Sequence, residues 1–251
     1  MLKMPQRRCL VVDDDDIAAA FLIELVSAQG LIVDSAGSMQ QADQRLAQQR
    51  FDLVLVDRRL PDGDGVVWLH QVLGRSGGRQ TPRCLLTSGD LIDIDELPSG
   101  VGQLRKPVDA ERLVRWLADD PGLVAAVPES PMPGPRTDWA ARALLDDTTA
   151  LPRLGGNRGA LQSLRAMLRQ ELEDSARWRQ QLRAPTPAVA AIDALHRLRA
   201  ACALTGCARL GPLSEDIEAG LRRGTSTPSA ALDDLDNVVA ATIAAISAQI
   251  E

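Results

Sequence analysis

Asp57 ends the apolar run Leu53-Val54-Leu55-Val56 and is soon followed by the turn-forming stretch Pro61-Asp62-Gly63-Asp64-Gly65. A fully apolar run this short suits a strand covered on both faces. Dense Pro, Asp and Gly then take the chain out of the sheet. Asp57 is therefore expected at the carboxyl end of a buried parallel strand, the edge at which open α/β sheets bind ligands. Three further runs end in the same way. Cys9 to Val12 delivers Asp13 and Asp14, Arg83 to Leu86 delivers Thr87 and Ser88, and Gln103 to Arg105 delivers Lys106. If these strands are neighbours, three carboxylates converge with a hydroxyl and an ammonium. Close carboxylates repel strongly even at a moderate effective dielectric, so the cluster calls for a cation, and an all-oxygen donor set suits Mg²⁺. Cation, ammonium and hydroxyl together make a receptor for the oxygens of a phosphoryl group, with a central carboxylate able to act as nucleophile. Lys3 and Lys106 are the only lysines in a chain whose other cations are all arginine. A compact ammonium suits a small oxygen reached down a narrow cleft.

The elements that must position these groups alternate along the first half. Helices are expected at 17–29, 38–49 (with Ser38 as N-cap), 65–73 and 109–119, and strands at 9–12, 31–35, 53–57, 83–86 and 103–105. Such alternation implies a parallel sheet with helices on both sides. Asp15 and Asp16 read as caps of the first helix rather than as metal ligands. The segment 90–102, acidic and broken by Pro98, reads as a poor helix.

The 251 residues allow one large or two ordinary domains. Residues 121–136 hold five of the fifteen prolines and read as a semi-extended linker between a domain at 5–120 and another at 137–251. The chain is 45% hydrophobic but only 2% aromatic, with no Tyr, so its cores are expected to be aliphatic. A net charge of −6 argues against nucleic acid as a partner. No apolar run is long enough to span a membrane, and the N-terminus lacks a signal-peptide pattern. Cys9, Cys84, Cys202 and Cys207 show no CxxC spacing and read as buried free thiols of a cytoplasmic protein.

Together VVDD, LVLVD with LPDGDG, LLTS and RKP, in this order over about residues 6–117, resemble the receiver domain of two-component response regulators. The resemblance implies a flavodoxin-like (βα)₅ fold and phosphorylation at Asp57. It implies Mg²⁺ held by Asp14, Asp57 and the backbone carbonyl of Arg59, with Asp13 acting through water or orientation. Thr87, with Ser88 beside it, would contact the phosphoryl group, and Lys106 would bind it from the other side. Two features depart from the family pattern. Gln103 stands where a switching Tyr or Phe is usual, and 90–102 makes a poor fourth helix, so output through that face is not implied.

After the linker every long run has helical period, with helices expected at 137–147, 157–183, 187–205, 208–223 and 230–250, an all-α bundle. Of the two histidines, His70 has no acidic or cysteine partner near it in sequence and is read as structural or exposed. His196 lies on a helix whose buried stripe is Ile192, Leu195, Leu198, Cys202 and Thr205, and it sits to one side of that stripe. Its own row is His196, Arg199, Ala200 and Ala203, so small residues surround an edge-exposed ring. HRLRAACALTGCARL resembles the phosphoacceptor helix of histidine-containing phosphotransfer domains: His, Leu two on, a cation three on, small residues next, Gly ten on. That similarity covers about residues 144–250 of a four-helix-bundle fold, with Ala200 where the family often has Gly. It implies a phosphoryl group carried on His196 and steadied by Arg199.

The expectation is a phosphorelay protein without a kinase of its own, whose partners are a sensor histidine kinase and a downstream receiver. The alternative is a regulated adaptor or phosphate sink in which Asp57 controls access to His196. A transcription factor would need a basic recognition helix in the slightly acidic second half, and a metal enzyme would need more than one bundle histidine.

Overall fold

The computed structural model describes residues 7–75, 81–89, 92–118, 139–184, 186–223 and 228–250. The proline-rich stretch 121–136 lies outside the described residues. The chain divides into two compact units, Met1–Val127 and Pro128–Glu251.

In the first unit β1 (Arg8–Val12), β2 (Ile32–Ala36), β3 (Leu53–Asp57), β6 (Arg83–Ser88) and β7 (Gly102–Arg105) form one sheet in the order β2-β1-β3-β6-β7. All four pairings are parallel. A two-residue hairpin, β4 (Arg59–Leu60) with β5 (Gly63–Asp64), follows β3. The helices are α1 (Asp16–Ala28), α2 (Met39–Gln48), α3 (Gly65–Arg75) and α4 (Ala110–Leu117). Side chains alternate across a strand. Leu10, Val12, Val54, Val56, Cys84 and Leu86 thus share one face with Ala42 of α2 and with Trp68 and Leu69 of α3. The intervening Cys9, Val11, Leu53, Leu55 and Leu85 point the other way and are equally buried. Both faces are covered, as the apolar runs required.

Helix starts follow side-chain chemistry. Asp15 accepts from the backbone N–H groups of Ile17 and Ala18, Ser38 from Gln41, and Asp109 from Arg112. Each satisfies donors left open by the first helical turn. The five parallel strands follow the (βα)₅ expectation, with one helical position reduced. Among the described residues between β6 and β7 there is only a 3₁₀ turn, Ile94–Glu96, in the segment read from sequence as a poor helix. The Gln103 side chain holds this connection instead, accepting from Ile92 N (3.2 Å) and donating to Ile92 O (3.0 Å).

In the second unit α6 (Arg158–Asp174), α8 (Val189–Thr205), α9 (Leu210–Arg222) and α10 (Ser229–Ile250) form the bundle, joined by the short α5 (Asp147–Arg153) and α7 (Ala176–Gln181). α6 packs on α8, α8 on α9, α9 on α10 and α10 on α6, closing a ring of four. Leu161, Leu164, Leu168 and Leu172 line the inner face of α6, and Leu232, Leu235, Val239 and Ile246 that of α10. Two expected helices change. The one at 137–147 is only a 3₁₀ turn at Trp139–Ala141, because Asp146 caps α5 by accepting from Thr148 N (2.9 Å) and the helix starts there. The one at 157–183 breaks at Ser175, whose hydroxyl donates to Leu172 O and competes with the helical ladder. α8 ends at Gly206, whose φ of 73° suits glycine and whose absent Cβ would lie 2.4 Å from Asp146 O. The four cysteines are free and buried. No helix among the described residues is long and apolar enough to cross a membrane.

Gly65 positions the end of β3. Its N–H donates to Arg58 O (2.7 Å), and a Cβ there would meet Asp57 O at 2.3 Å. Gly65→Ala is expected to destabilise the first unit by roughly 2 kcal/mol, seen as a lower urea midpoint and faster amide exchange in β1 and β3. Gly74→Ala, in the same helix but with open space around it, should be neutral or stabilise by up to about 1 kcal/mol.

Candidate functional site

Sheet order brings the strand ends together. β1 and β3 are neighbours, so Asp13 and Asp14, just past β1, stand beside Asp57, the last residue of β3. Asp57 pairs in register with Thr87 of β6, and Ser88 with Arg105 of β7, which leads into Lys106. Asp13, Asp57, Thr87 and Ser88 are buried, while Asp14 is exposed. The Lys106 ammonium lies 2.8 Å from Asp13 Oδ2 and 3.1 Å from Asp57 Oδ1. Asp13 is further held by Asp15 N–H on Oδ1 (3.1 Å). Lys106 N donates to Ser88 O (2.7 Å), across a site whose Lys106–Pro107 peptide is cis. The Thr87 hydroxyl is fully buried and donates to Val56 O (3.4 Å). Arg59 opens the β4–β5 hairpin two residues past Asp57, with its side chain exposed.

One carboxylate oxygen from each of Asp13, Asp14 and Asp57 lies within 4.8 Å of the others. At that separation and an effective dielectric of about 20, each ionised pair repels by roughly 3 kcal/mol. A single ammonium does not neutralise three carboxylates. Burial, with the charges of Asp13 and Asp14, raises the Asp57 pKa to about 6 despite Lys106 beside it. Burial also opposes the Lys106 charge, but the paired carboxylates outweigh it and hold the ammonium above the ordinary lysine range. Three hard oxygen donors with a residual negative charge fit a divalent cation of the Mg²⁺ kind.

In the bundle, His196 projects from α8 with its side chain 31% exposed. Its Nδ1 lies 2.8 Å from Oε1 of Glu218 on α9, and Glu218 is buried. Arg222 Nε donates to the same oxygen (2.8 Å), and Arg199 Nε lies 3.6 Å from Oε2. Arg199 also reaches Glu215 (3.4 Å). Burial raises the pKa of a carboxyl, yet the three cationic or donor groups win and bring Glu218 down to about 2. Ala200 and Ala203 are half-buried, and Ile192, expected in the buried stripe, is also only half-buried. His70 Nε2 lies 3.1 Å from Glu96 O, a structural contact.

Reading the sequence alone missed three residues. Glu218 and Arg222 share one face of α9 four residues apart, a visible pairing, but no spacing shows that this face meets His196. Asp62 accepts from Met39 N (3.0 Å) and Gln40 N (2.9 Å), bracing the start of α2 from the loop after β3.

The raised Asp57 pKa has a signed consequence. The folded protein binds this proton more tightly than the unfolded chain, so the contribution of Asp57 to stability falls between about pH 4 and pH 6 and stays low above. Without divalent cation, Asp57→Asn should be more stable than wild type by up to about 3 kcal/mol at pH 8. That gain should vanish near pH 4 in urea titrations.

The family model for the response regulator receiver domain matches residues 9–118. The signal transduction histidine-protein kinase BarA of Shigella flexneri is 28% identical over 243 residues, covering 91% of this chain. The chain spans only 26% of the length of that relative. Response regulator protein PilR of Pseudomonas aeruginosa is 34% identical over 118 residues, covering 46% of this chain and 26% of PilR. The solved CheY-like receiver domain from Methylobacillus flagellatus is 26% identical with a TM-score of 0.41, covering 46% of this chain and 98% of that one. With the strand order and the carboxylate–lysine cluster, the family match makes residues 9–118 a response regulator receiver domain of two-component signalling.

Proposed function

We propose that the chain is a phosphorelay protein that takes a phosphoryl group on Asp57 and carries one on His196. The observation that carries this reading is the Lys106 ammonium bridging Asp13 and Asp57 within a three-carboxylate cluster. Asp57 is the nucleophile: its oxygen forms the O–P bond in line as the N–P bond of the kinase's phosphohistidine breaks and the electron pair returns to the imidazole nitrogen. Lys106 is placed to follow the charge as it moves onto the phosphoryl oxygens. The Thr87 hydroxyl needs only to rotate from Val56 O to meet one of those oxygens, and Ser88 adjoins it. Asp14, Asp57 and the Arg59 carbonyl would hold Mg²⁺, with Asp13 orienting it. Bound there, the ion would neutralise carboxylate and phosphoryl charge together.

The second unit is read as a histidine-containing phosphotransfer domain. Support comes from a four-helix ring, from a half-exposed His196 bordered by alanines, and from the BarA alignment running through both units. Arg199, its charge shared with Glu215 and Glu218, sits one turn from the ring and can swing toward a bound phosphoryl group. The partners are a sensor histidine kinase, which supplies the group, and a receiver that exchanges it with His196. The chain is proposed to have no kinase activity of its own.

Phosphotransfer profiling with a labelled histidine kinase tests this. Wild type should show alkali-labile label on Asp57 and alkali-stable label on His196. Asp57→Ala should abolish the first and His196→Gln the second. Label confined to Asp57 would sink the relay reading in favour of a phosphorylation-controlled adaptor. Lys106→Ala should slow Asp57 labelling by roughly 100-fold, and chelation of divalent cations should stop it.

A further inference from the structure

Asp62 stands in the turn of the β4–β5 hairpin, three residues past Arg59. Both of its carboxylate oxygens bond outside that hairpin. Oδ1 accepts from Met39 N (3.0 Å) and Oδ2 from Gln40 N (2.9 Å). These are the first two N–H groups of α2, which have no carbonyl within their own helix to bond. Ser38, the N-cap, takes the third, at Gln41 (3.2 Å). The start of α2 is therefore capped twice, once by its own neighbour and once by a carboxylate 22 and 23 residues further along the chain. The slight burial of Asp62 would raise its pKa, but the backbone amides outweigh it and hold the carboxyl below its ordinary range. These are bonds to an anion at a helix N-terminus, where the dipole adds to them. Gly63 brings the same two elements closer still, because a Cβ there would lie 2.6 Å from Met39 Cε.

The start of α2 is also tied to the opposite side of the carboxylate cluster. Ala36, the last residue of β2, accepts at its carbonyl from Asp13 N (3.1 Å), and the chain reaches Met39 through Gly37 and Ser38. The contacts close a ring: Asp13 to Ala36, along to Met39, across Asp62 into the hairpin, and back through Arg58 to Asp57 beside β1.

We infer that Asp62 is a positioning residue of the receiver site, fastening the hairpin that carries Arg59 against Asp13 and Asp14 so that these groups can share one divalent cation, a role that rests on the Mg²⁺ reading given above. A cation of this size demands near-ideal ligand geometry. The hairpin pairs only Arg59 with Asp64 and Leu60 with Gly63, and a two-stranded hairpin is marginal by itself in water. A backbone carbonyl on such an element keeps its place only if the element is held at both ends. Gly65 N–H on Arg58 O (2.7 Å) holds the base, and Asp62 holds the tip. Both oxygens of Asp62 face α2, so it acts through the backbone.

The test titrates the ¹⁵N-labelled full chain with MgCl₂ and follows the amide shifts of Asp14, Asp57, Arg59 and Gly65. Wild type should saturate with one dissociation constant. Asp62→Ala should raise that constant about 10-fold, as loss of the support behind a metal ligand does. Asp62→Asn keeps one acceptor oxygen and should fall between the two, and it serves if the alanine variant does not fold. Ser38→Ala removes the other cap of the same helix and leaves the hairpin tip bound. It should lower the urea midpoint yet hold Mg²⁺ within twofold of wild type. Labelling of Asp57 by phosphoramidate should fall in the Asp62 variants at low Mg²⁺ and recover at saturating Mg²⁺. An Mg²⁺ constant within twofold of wild type in both Asp62 variants, or an equal loss in Ser38→Ala, would overturn the assignment. Wild type whose amides do not respond to Mg²⁺ overturns the metal reading itself, and the role of Asp62 with it.

Discussion

The Lys106 ammonium, set between Asp13 and Asp57, is the contact on which the receiver site depends. Without it, buried carboxylates at the tips of adjacent strands would repel one another across a few ångströms. With it, the cluster still holds more negative than positive charge. Burial, with the neighbouring carboxylates, raises the Asp57 pKa, and the excess negative charge makes the site receptive to a cation. The contact exists only because of strand order. Lys106 leaves β7 and reaches past β6 to the ends of β3 and β1, so a different arrangement of the same strands would separate the charges.

The bundle carries the complementary arrangement. There one buried carboxylate, Glu218, is surrounded by an imidazole and two guanidinium groups. In the first unit a cation offsets part of the charge of neighbouring carboxylates. In the second a carboxylate holds an imidazole and is itself held by two guanidinium groups. Both use burial to strengthen a short charged contact, and both place that contact at the end or edge of a rigid element.

The departures from regularity are local and have side-chain causes. Gln103 bonds Ile92 through both its donor and its acceptor, which ties the β6–β7 connection to the sheet with a 3₁₀ turn in place of a helix. Ser175 interrupts a long helix by bonding back to Leu172 O. Gly65 lets α3 start against the backbone of Asp57, and Asp62 ties the loop after β3 to α2. The end of β3 is therefore braced from two neighbouring helices.

Much of this was legible in the chain itself. Apolar runs ending in Asp or Thr mark the central strands β1, β3 and β6, because burial on both faces favours apolar side chains, whereas the edge strands β2 and β7 carry Asp34, Gln103 and Arg105. Asp15, Ser38 and Asp109 mark helix starts, because a short polar side chain before a helical run has few better partners than the open N–H groups. The three-four spacing likewise marked the buried side of α8. Hidden from sequence were the breaks at Ser175 and before α5, which turn on single hydrogen bonds that compete with helix. Hidden too was Glu218, twenty-two residues from His196, because spacing fixes which residues share a face of one helix and says nothing of which faces meet. Residue type and period determine elements and their buried sides. Only packing decides which charge lies 2.8 Å from which ring nitrogen, since that depends on the relative rotation and offset of two helices.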